Sequence, residues 1–175
     1  MAKRKLHIGC GKRDFGPEWI HIDGGKFPHV SHNNVRKLPF LDSTIDVIYA
    51  SHLIAYFDRF EVLDLLNEWK RVLKPGGIIR LATPDFWRMI RLYNDSRIKL
   101  DDIHGPMYGR MEMNGKVIYH KTVYDFPTIS RYLMLAGFKN IRRYDHRQTE
   151  HALFDDHSAA YLKDELISLN VEADA

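Results

Sequence analysis

A single cysteine, Cys10, among 175 residues rules out an internal disulfide framework and suits a reducing compartment, so the expected setting is the cytoplasm. No apolar run approaches the roughly 20 residues that a bilayer-crossing helix needs, and no membrane partner is expected. Lys3, Arg4 and Lys5 precede an apolar stretch that reaches only Cys10, too short for the core of a secretory leader. No glycine-rich loop ends in Lys-Ser or Lys-Thr, which excludes the common triphosphate cradle. Charge of one sign is not in large excess: 26 Lys and Arg face 23 Asp and Glu, for a net charge of +3 and a pI near 8.9. That balance permits nucleic acid without indicating it. What remains is a globular composition, 45% hydrophobic and 28% charged, in a length that reads as one domain over residues 1–175. A chain of this size buries roughly 70% of its unfolded surface, enough for a core without covalent staples.

The most informative segment is 5–25, KLHIGCGKRDFGPEWIHIDGG. A short apolar strand runs into Gly9-Cys10-Gly11, and a second strand ends at Asp23. Gly9 lets the chain leave the strand sharply, and Gly11 lets a ligand lie against bare backbone. On the neighbouring strand tip, the Asp23 carboxylate is placed to accept hydrogen bonds from a ribose diol. A dinucleotide fingerprint needs Gly or Ala three residues after Gly11, where this chain has Asp14, whose carboxylate would repel a pyrophosphate. The ribose-binding acid of that fingerprint also lies roughly 20 residues on, whereas Asp23 stands only about a dozen beyond Gly11. A ligand with ribose and no phosphate fits best, and S-adenosylmethionine is the common one.

The rest of the chain alternates strands and helices. Strands are predicted over 5–10 and 19–23, joined by a link with no room for a crossover helix. A short extended piece covers 32–35, and the apolar run 44–51, TIDVIYAS, reads as a strand buried on both faces. Asp58 and Glu61 form a capping-box pair that opens a helix carrying Val62, Leu65, Leu66, Trp69, Val72 and Leu73 at helical spacing. Pro75-Gly76-Gly77 stops it, a strand follows over 77–83, and Pro84-Asp85 leads into a helix over 86–93. Residues 97–124 are polar, aromatic and aperiodic, with Gly105, Pro106, Gly109 and Gly115, and read as an inserted lid or substrate loop. A helix over 126–136, with Pro127 in its first turn and Gly137 after it, precedes strands over 141–145 and 167–172. This alternation predicts an α/β fold with a mostly parallel sheet and ligands at the carboxyl ends of its strands. No convincing helix lies between Gly9 and Thr44, so one sheet face near the first three strands lacks its usual cover. Either the aromatic middle segment or a second subunit is expected to supply it, the latter making a homodimer.

These motifs make the chain resemble the class I S-adenosylmethionine-dependent methyltransferases, specifically a compact group of bacterial and phage members. The resemblance covers nearly the whole chain: KLHIGCGKR then WIHID, LPFLDSTIDVIYASHLIAYF, LNEWKRVLKPGGIIRLATPDF, and a tail of YDF, AGF and SLNVEA. It implies a Rossmann-like sheet of seven strands or slightly fewer, with truncated first helices, and S-adenosylmethionine as cofactor. By the same resemblance Gly9, Cys10 and Gly11 hold the methionine part, and Asp23 takes both ribose hydroxyls. Asn34 accepts from the adenine amine through its side-chain carbonyl, with Leu38 of the Leu-Pro-Phe element alongside. Ser51 and His52 match the tip of the fourth strand, beside the methyl donor. Relatives often carry Glu-His where this chain has Ala55-Tyr56, and the short first helix leaves Lys12 or Arg13 to meet the cofactor carboxylate.

Methyl transfer from a sulfonium needs near-attack positioning and, for an alcohol acceptor, a base. His120, in the loop before Tyr124 and Asp125, is the first catalytic candidate, and His52 is the second by position. Asp155-Asp156-His157 holds three metal-capable side chains, but adjacent residues rarely converge on one ion, so a polar turn or substrate contact is the reading and no metal is assigned. Tyr108, Arg110, Tyr119 and Tyr124 either stack on an acceptor or pack over the uncovered face. The expected function is methyl transfer to a small molecule, with a saccharide or nucleotide-sugar hydroxyl favoured by analogy. Alternatives are aminopropyl transfer from the same cofactor, a non-catalytic cofactor-binding or assembly module, and nucleic-acid methylation. The last lacks the Asn/Asp-Pro-Pro-aromatic tetrapeptide and any cysteine beyond Cys10.

Overall fold

Apolar residues decide where strands form in the computed structural model, which describes residues 3–175. The sheet begins with β1 (Lys5–Ile8), β2 (Trp19–Ile22), β3 (Val30–His32) and β4 (Ile45–Ser51). Helix α1 (Val62–Val72) leads into β5 (Leu73–Pro84), followed by α2 (Phe86–Asn94), α3 (Leu100–Tyr108) and the hairpin β6 (Met111–Met113) and β7 (Lys116–Ile118). Helix α4 (Phe126–Leu135), β8 (Lys139–Arg143), the two-residue pair β9 (Tyr161–Leu162) and β10 (Glu165–Leu166), and β11 (Ser168–Asp174) complete the chain. Seven strands form one sheet in the order β3-β2-β1-β4-β5-β11-β8, with β1 to β5 parallel and β11 antiparallel to both its neighbours. This is the Rossmann-like, mostly parallel sheet expected. Strand order reverses between β1 and β4, which opens a crevice at their carboxyl ends.

Strand alternation sorts side chains onto two faces. Leu6, Ile8, Ile22 and Ile48 pack against Val62, Leu65, Leu66 and Trp69 of α1 and against Ile129 and Leu133 of α4. Each such side chain contributes about 1.5–3 kcal/mol when fully buried. On the opposite face, His7, Trp19, His21, Val47 and Tyr49 meet Phe15 from the β1–β2 link and His151 from the segment before β9. Phe154 stacks on Phe15 at 4.2 Å, and the buried Asp156 accepts a hydrogen bond from the Tyr49 hydroxyl. The face predicted to lie bare is therefore covered by the chain's own residues, from the 10–18 link and the 146–160 segment. Neither the aromatic middle segment nor a second subunit is needed there, and a homodimer would have to use another surface.

Other expectations also change. Residues 97–124, expected as an inserted lid or substrate loop without regular structure, hold α3 and the β6–β7 hairpin. Helix α3 buries only Ile103, so it lacks the apolar stripe that marks a helix in sequence, and Pro106 inside it reads as a breaker. The third strand lies over Val30–His32 rather than 32–35, because residues 33–37 are drawn into a turn around Asn34. Half of the capping box forms: Glu61 accepts the Asp58 N–H, but Asp58 takes the Phe60 N–H. Pro75-Gly76-Gly77 lies within β5, where the register against β4 shifts between Ile45 and Val47.

Candidate active site

The crevice is a cleft of about 930 Å³ lined by the turn after β1, the tips of β2 and β4, the β6–β7 hairpin and the segments around His120 and His157. Gly9 leaves β1 with φ +72°, and its N–H donates to the Ile22 carbonyl at 2.7 Å. A Cβ there would lie 2.8 Å from the Leu53 side chain, so the glycine lets the β4 loop close against the β1 turn. Gly11, with φ +55°, faces open space, since no atom of the described residues lies within 4 Å of where its Cβ would stand.

Asp23 is nearly buried, and each carboxylate oxygen already holds one backbone donor: Gly11 N–H on Oδ2 at 2.8 Å and Gly25 N–H on Oδ1 at 2.6 Å. These bonds fix the carboxylate and leave further lone pairs for two more donors. Arg13 lines the cleft with its Nε–H given to the Asp155 carbonyl at 2.9 Å and no acidic side chain paired with it among the described residues. Lys12 is exposed and does not line the cleft, so Arg13 is the cation in position.

At the tip of β4 the Ser51 hydroxyl is buried without a hydrogen-bond partner among the described residues. His52 adopts φ +50°, a costly conformation for a non-glycine residue. Its Nε2 is buried and unpartnered, and burial, reinforced by His157 and His120, pushes its pKa well below the ordinary imidazole value. The His52 and His157 rings lie 5.0 Å apart. His120 packs edge-on to Tyr56 at 4.5 Å, with Nδ1 3.1 Å from the Met107 carbonyl. That contact assigns the proton to Nδ1 and leaves the Nε2 lone pair free. Burial lowers the His120 pKa as well, against the raising effect of the Met107 carbonyl. A Cβ at Gly109 would overlap this imidazole, and the Tyr56 hydroxyl donates to the Gly109 carbonyl, so Tyr56 and Gly109 together seat His120. The hairpin arches over the Asp23 end, where the Asn114 amide donates to the Gly24 carbonyl at 2.9 Å.

Of the residues singled out in the sequence, Gly9, Gly11, Asp23, Asn34, Ser51, His52 and His120 meet in this cleft. Cys10 and Leu38 do not. Cys10 turns inward toward His29, 3.6 Å away, and burial pushes its thiol up to about 12. Leu38 is 3% exposed in the core beneath α1, because an apolar side chain gains more there than at a polar rim. Asn34 reaches the cleft, but its carbonyl oxygen already accepts the N–H groups of Arg36 and Lys37 at 2.9 and 3.1 Å. The adenine acceptance expected of that oxygen is thus spent on a local turn, leaving the amide nitrogen free. Tyr124 is fully buried, Tyr108 and Arg110 lie outside the cleft, and only Tyr119 of that set lines it. Asp156 is committed to Tyr49 and to the Ser158 N–H, which leaves His157 as the member of its triplet that faces the cleft. His157 and Tyr56 were not among the predicted site residues. The triplet itself was visible in sequence, but its contact with the β4 tip arises only from the fold.

Comparisons with known proteins bear on the fold and on part of the sequence. Residues 14–81 match the family profile described as a methyltransferase domain. The chain is similar to sterol 4-C-methyltransferase of Caenorhabditis elegans, 32% identical over 96 aligned positions that cover 41% of this chain and 28% of that protein. It is also similar to demethylmenaquinone methyltransferase of Chlorobaculum parvum, 30% identical over 73 positions covering 41% of this chain and 30% of that one. The chain thus spans under a third of the length of the curated relatives it matches. A SAM-dependent methyltransferase from Archaeoglobus fulgidus has the same fold, with a TM-score of 0.62 at 17% identity over 99% of this chain and 86% of that one.

Proposed function

The chain has the fold and, over residues 14–81, the sequence pattern of class I S-adenosylmethionine-dependent methyltransferases, and on that premise we propose that it methylates a hydroxyl of a small molecule in the cytoplasm. One observation carries the reading: a carboxylate fixed by two backbone donors, Asp23, shares a cleft with open backbone at Gly11, an acid-free Arg13 and an orphaned Ser51 hydroxyl. Those groups fit S-adenosylmethionine. Asp23 would take the ribose diol, Gly11 and Ser51 would lie against the methionine part, and Arg13 would meet its carboxylate.

When bound, the cofactor supplies a methyl on a sulfonium whose departure as a neutral thioether needs no acid. The residues then have two tasks. His52, Tyr56 and His157 shape the wall past Ser51 that holds the acceptor oxygen in near-attack geometry. His120 Nε2, neutral because burial lowers its pKa, takes the hydroxyl proton as the oxygen gains the methyl carbon. Seating His120 is a job for Tyr56 here, where relatives often place a Glu-His pair. A saccharide or nucleotide-sugar hydroxyl is the acceptor class that the resemblance brings to this reading.

Titration calorimetry with S-adenosylmethionine and S-adenosylhomocysteine, then an acceptor screen that measures S-adenosylhomocysteine release, tests the proposal. Binding with turnover supports it. Binding with no turnover across the screen favours the non-catalytic module, and decarboxylated cofactor as the preferred ligand favours aminopropyl transfer.

A further inference from the structure

The acceptor end of the cleft is poor in the groups that recognise a sugar. A polyhydroxylated ligand must find several donors and acceptors at once, because each hydroxyl removed from water needs a partner. At this end the Tyr56 hydroxyl is already given to Gly109, His120 Nδ1 is engaged by Met107, and His52 Nε2 is sealed. The carboxylates and amides of the cleft lie elsewhere: Asp23 on the β2 tip, Asn33 and Asn34 after β3, Glu112 and Asn114 on the hairpin. What faces the β4 tip is a set of flat rings. Tyr56 meets His120 edge-on at 4.5 Å, His52 meets His157 at 5.0 Å, and the half-exposed Tyr119, next to His120 in sequence, lines the same cleft. Each of the three imidazoles is disfavoured as a cation by burial; His157 adds to this at His52 and His120, and the Arg13 guanidinium adds to it at His157.

Resting on the methyltransferase reading above, we propose that the acceptor is a planar aromatic molecule with a ring hydroxyl, held by the Tyr119 and histidine rings with its oxygen toward His120. Flat walls with few free hydrogen-bonding groups suit an aromatic face, whose stacking requires no partner for each edge. Proton affinity points the same way. A phenolic hydroxyl has a pKa of about 10, within reach of a weakly basic buried imidazole, whereas a sugar alcohol holds its proton far more tightly. In the reaction the ring hydroxyl's proton goes to His120 Nε2. The ring oxygen bonds the methyl carbon as that carbon's bond to sulfur breaks, and the electron pair stays on sulfur.

The test titrates protein saturated with S-adenosylhomocysteine with 2-naphthol, catechol, methyl glucoside and UDP-glucose, following naphthol fluorescence, heat and melting temperature. The phenols are expected to bind and the sugars to leave the protein unchanged up to millimolar concentration. Tyr119→Ala should weaken phenol binding about three- to tenfold, and Tyr119→Phe should retain it, because the ring rather than its hydroxyl makes the contact. Sugar binding with silent phenols, silence from all four, or equal loss in both Tyr119 variants would overturn the proposal. The preceding S-adenosylhomocysteine titration separates the two levels. A protein that binds it but ignores phenols contradicts this inference alone, and one that does not bind it contradicts the parent reading and this inference with it.

Discussion

At the residue scale, the two glycines of the β1 turn have different duties, and substitution separates them. Gly9→Ala forces a Cβ onto Leu53 at left-handed φ, so it should cost stability by about 2 kcal/mol or more and lower Tm in a melting experiment. Gly11→Ala meets no neighbour but still carries the left-handed φ penalty of about 1 kcal/mol, so Tm should fall less than in Gly9→Ala while the new methyl enters the cleft and weakens cofactor affinity in calorimetry. His120 gives a third separation. If it is the base, His120→Asn should leave cofactor affinity intact and lower turnover about 10²- to 10⁴-fold. Because burial lowers its pKa, the wild-type rate should be lost only as pH falls below the ordinary imidazole range, and the variant should lack that acid limb. His52→Asn, which alters the strained β4 tip, should instead change cofactor binding. These residues were visible in sequence because short motifs place them at strand ends, where local geometry decides exposure. Leu38 misled for the opposite reason: its motif is contiguous with the site, but its side chain answers to the core beneath α1.

At the element scale, the 146–160 segment substitutes for the missing helix cover and carries Arg13's anchor and His157 with it. Its contact with the sheet is rich in buried histidine. The pKa of His151 falls from 6.5 to about 4, burial being the main cause, and burial also lowers His7 and His21. Groups with a lower pKa in the folded state bind fewer protons there than in the unfolded chain. The unfolding free energy therefore falls as pH drops below 6.5 and, for His151, keeps falling until about 4. At that point this residue alone costs on the order of 3 kcal/mol. Both His151 ring nitrogens lack partners among the described residues, so His151→Phe should preserve the stack on Tyr49, leave Tm at pH 7 unchanged or raised, and flatten its decline between pH 6.5 and 4. An equally steep decline in the variant would assign the acid sensitivity elsewhere. Helix α1 and β4 were legible because their apolar periods are strong and local. The cover was not, since His151, Phe154 and Asp156 sit in a polar stretch whose partners, Tyr49 and Phe15, are remote in sequence.

At the scale of the whole molecule, the sheet brings two distant regions to one crevice: the β1–β2 turns with Asp23, and the β4 tip with His52, His120 and His157. A mostly parallel sheet with its site at the strand ends was readable from the alternation of elements, whereas the convergence of three histidines was not, because it depends on how the middle and C-terminal segments return over the strand ends. The account's central claim is that this crevice is a nucleoside-cofactor site held by Asp23. Calorimetric titration of wild type and Asp23→Ala with S-adenosylmethionine tests it most directly, with circular dichroism to confirm that both are folded. Two charge-assisted bonds worth about 1.5–3 kcal/mol each are at stake, so the account predicts one site per chain in wild type and at least a hundredfold weaker binding in the folded variant. No heat of binding in wild type, or unchanged affinity in folded Asp23→Ala, would contradict it.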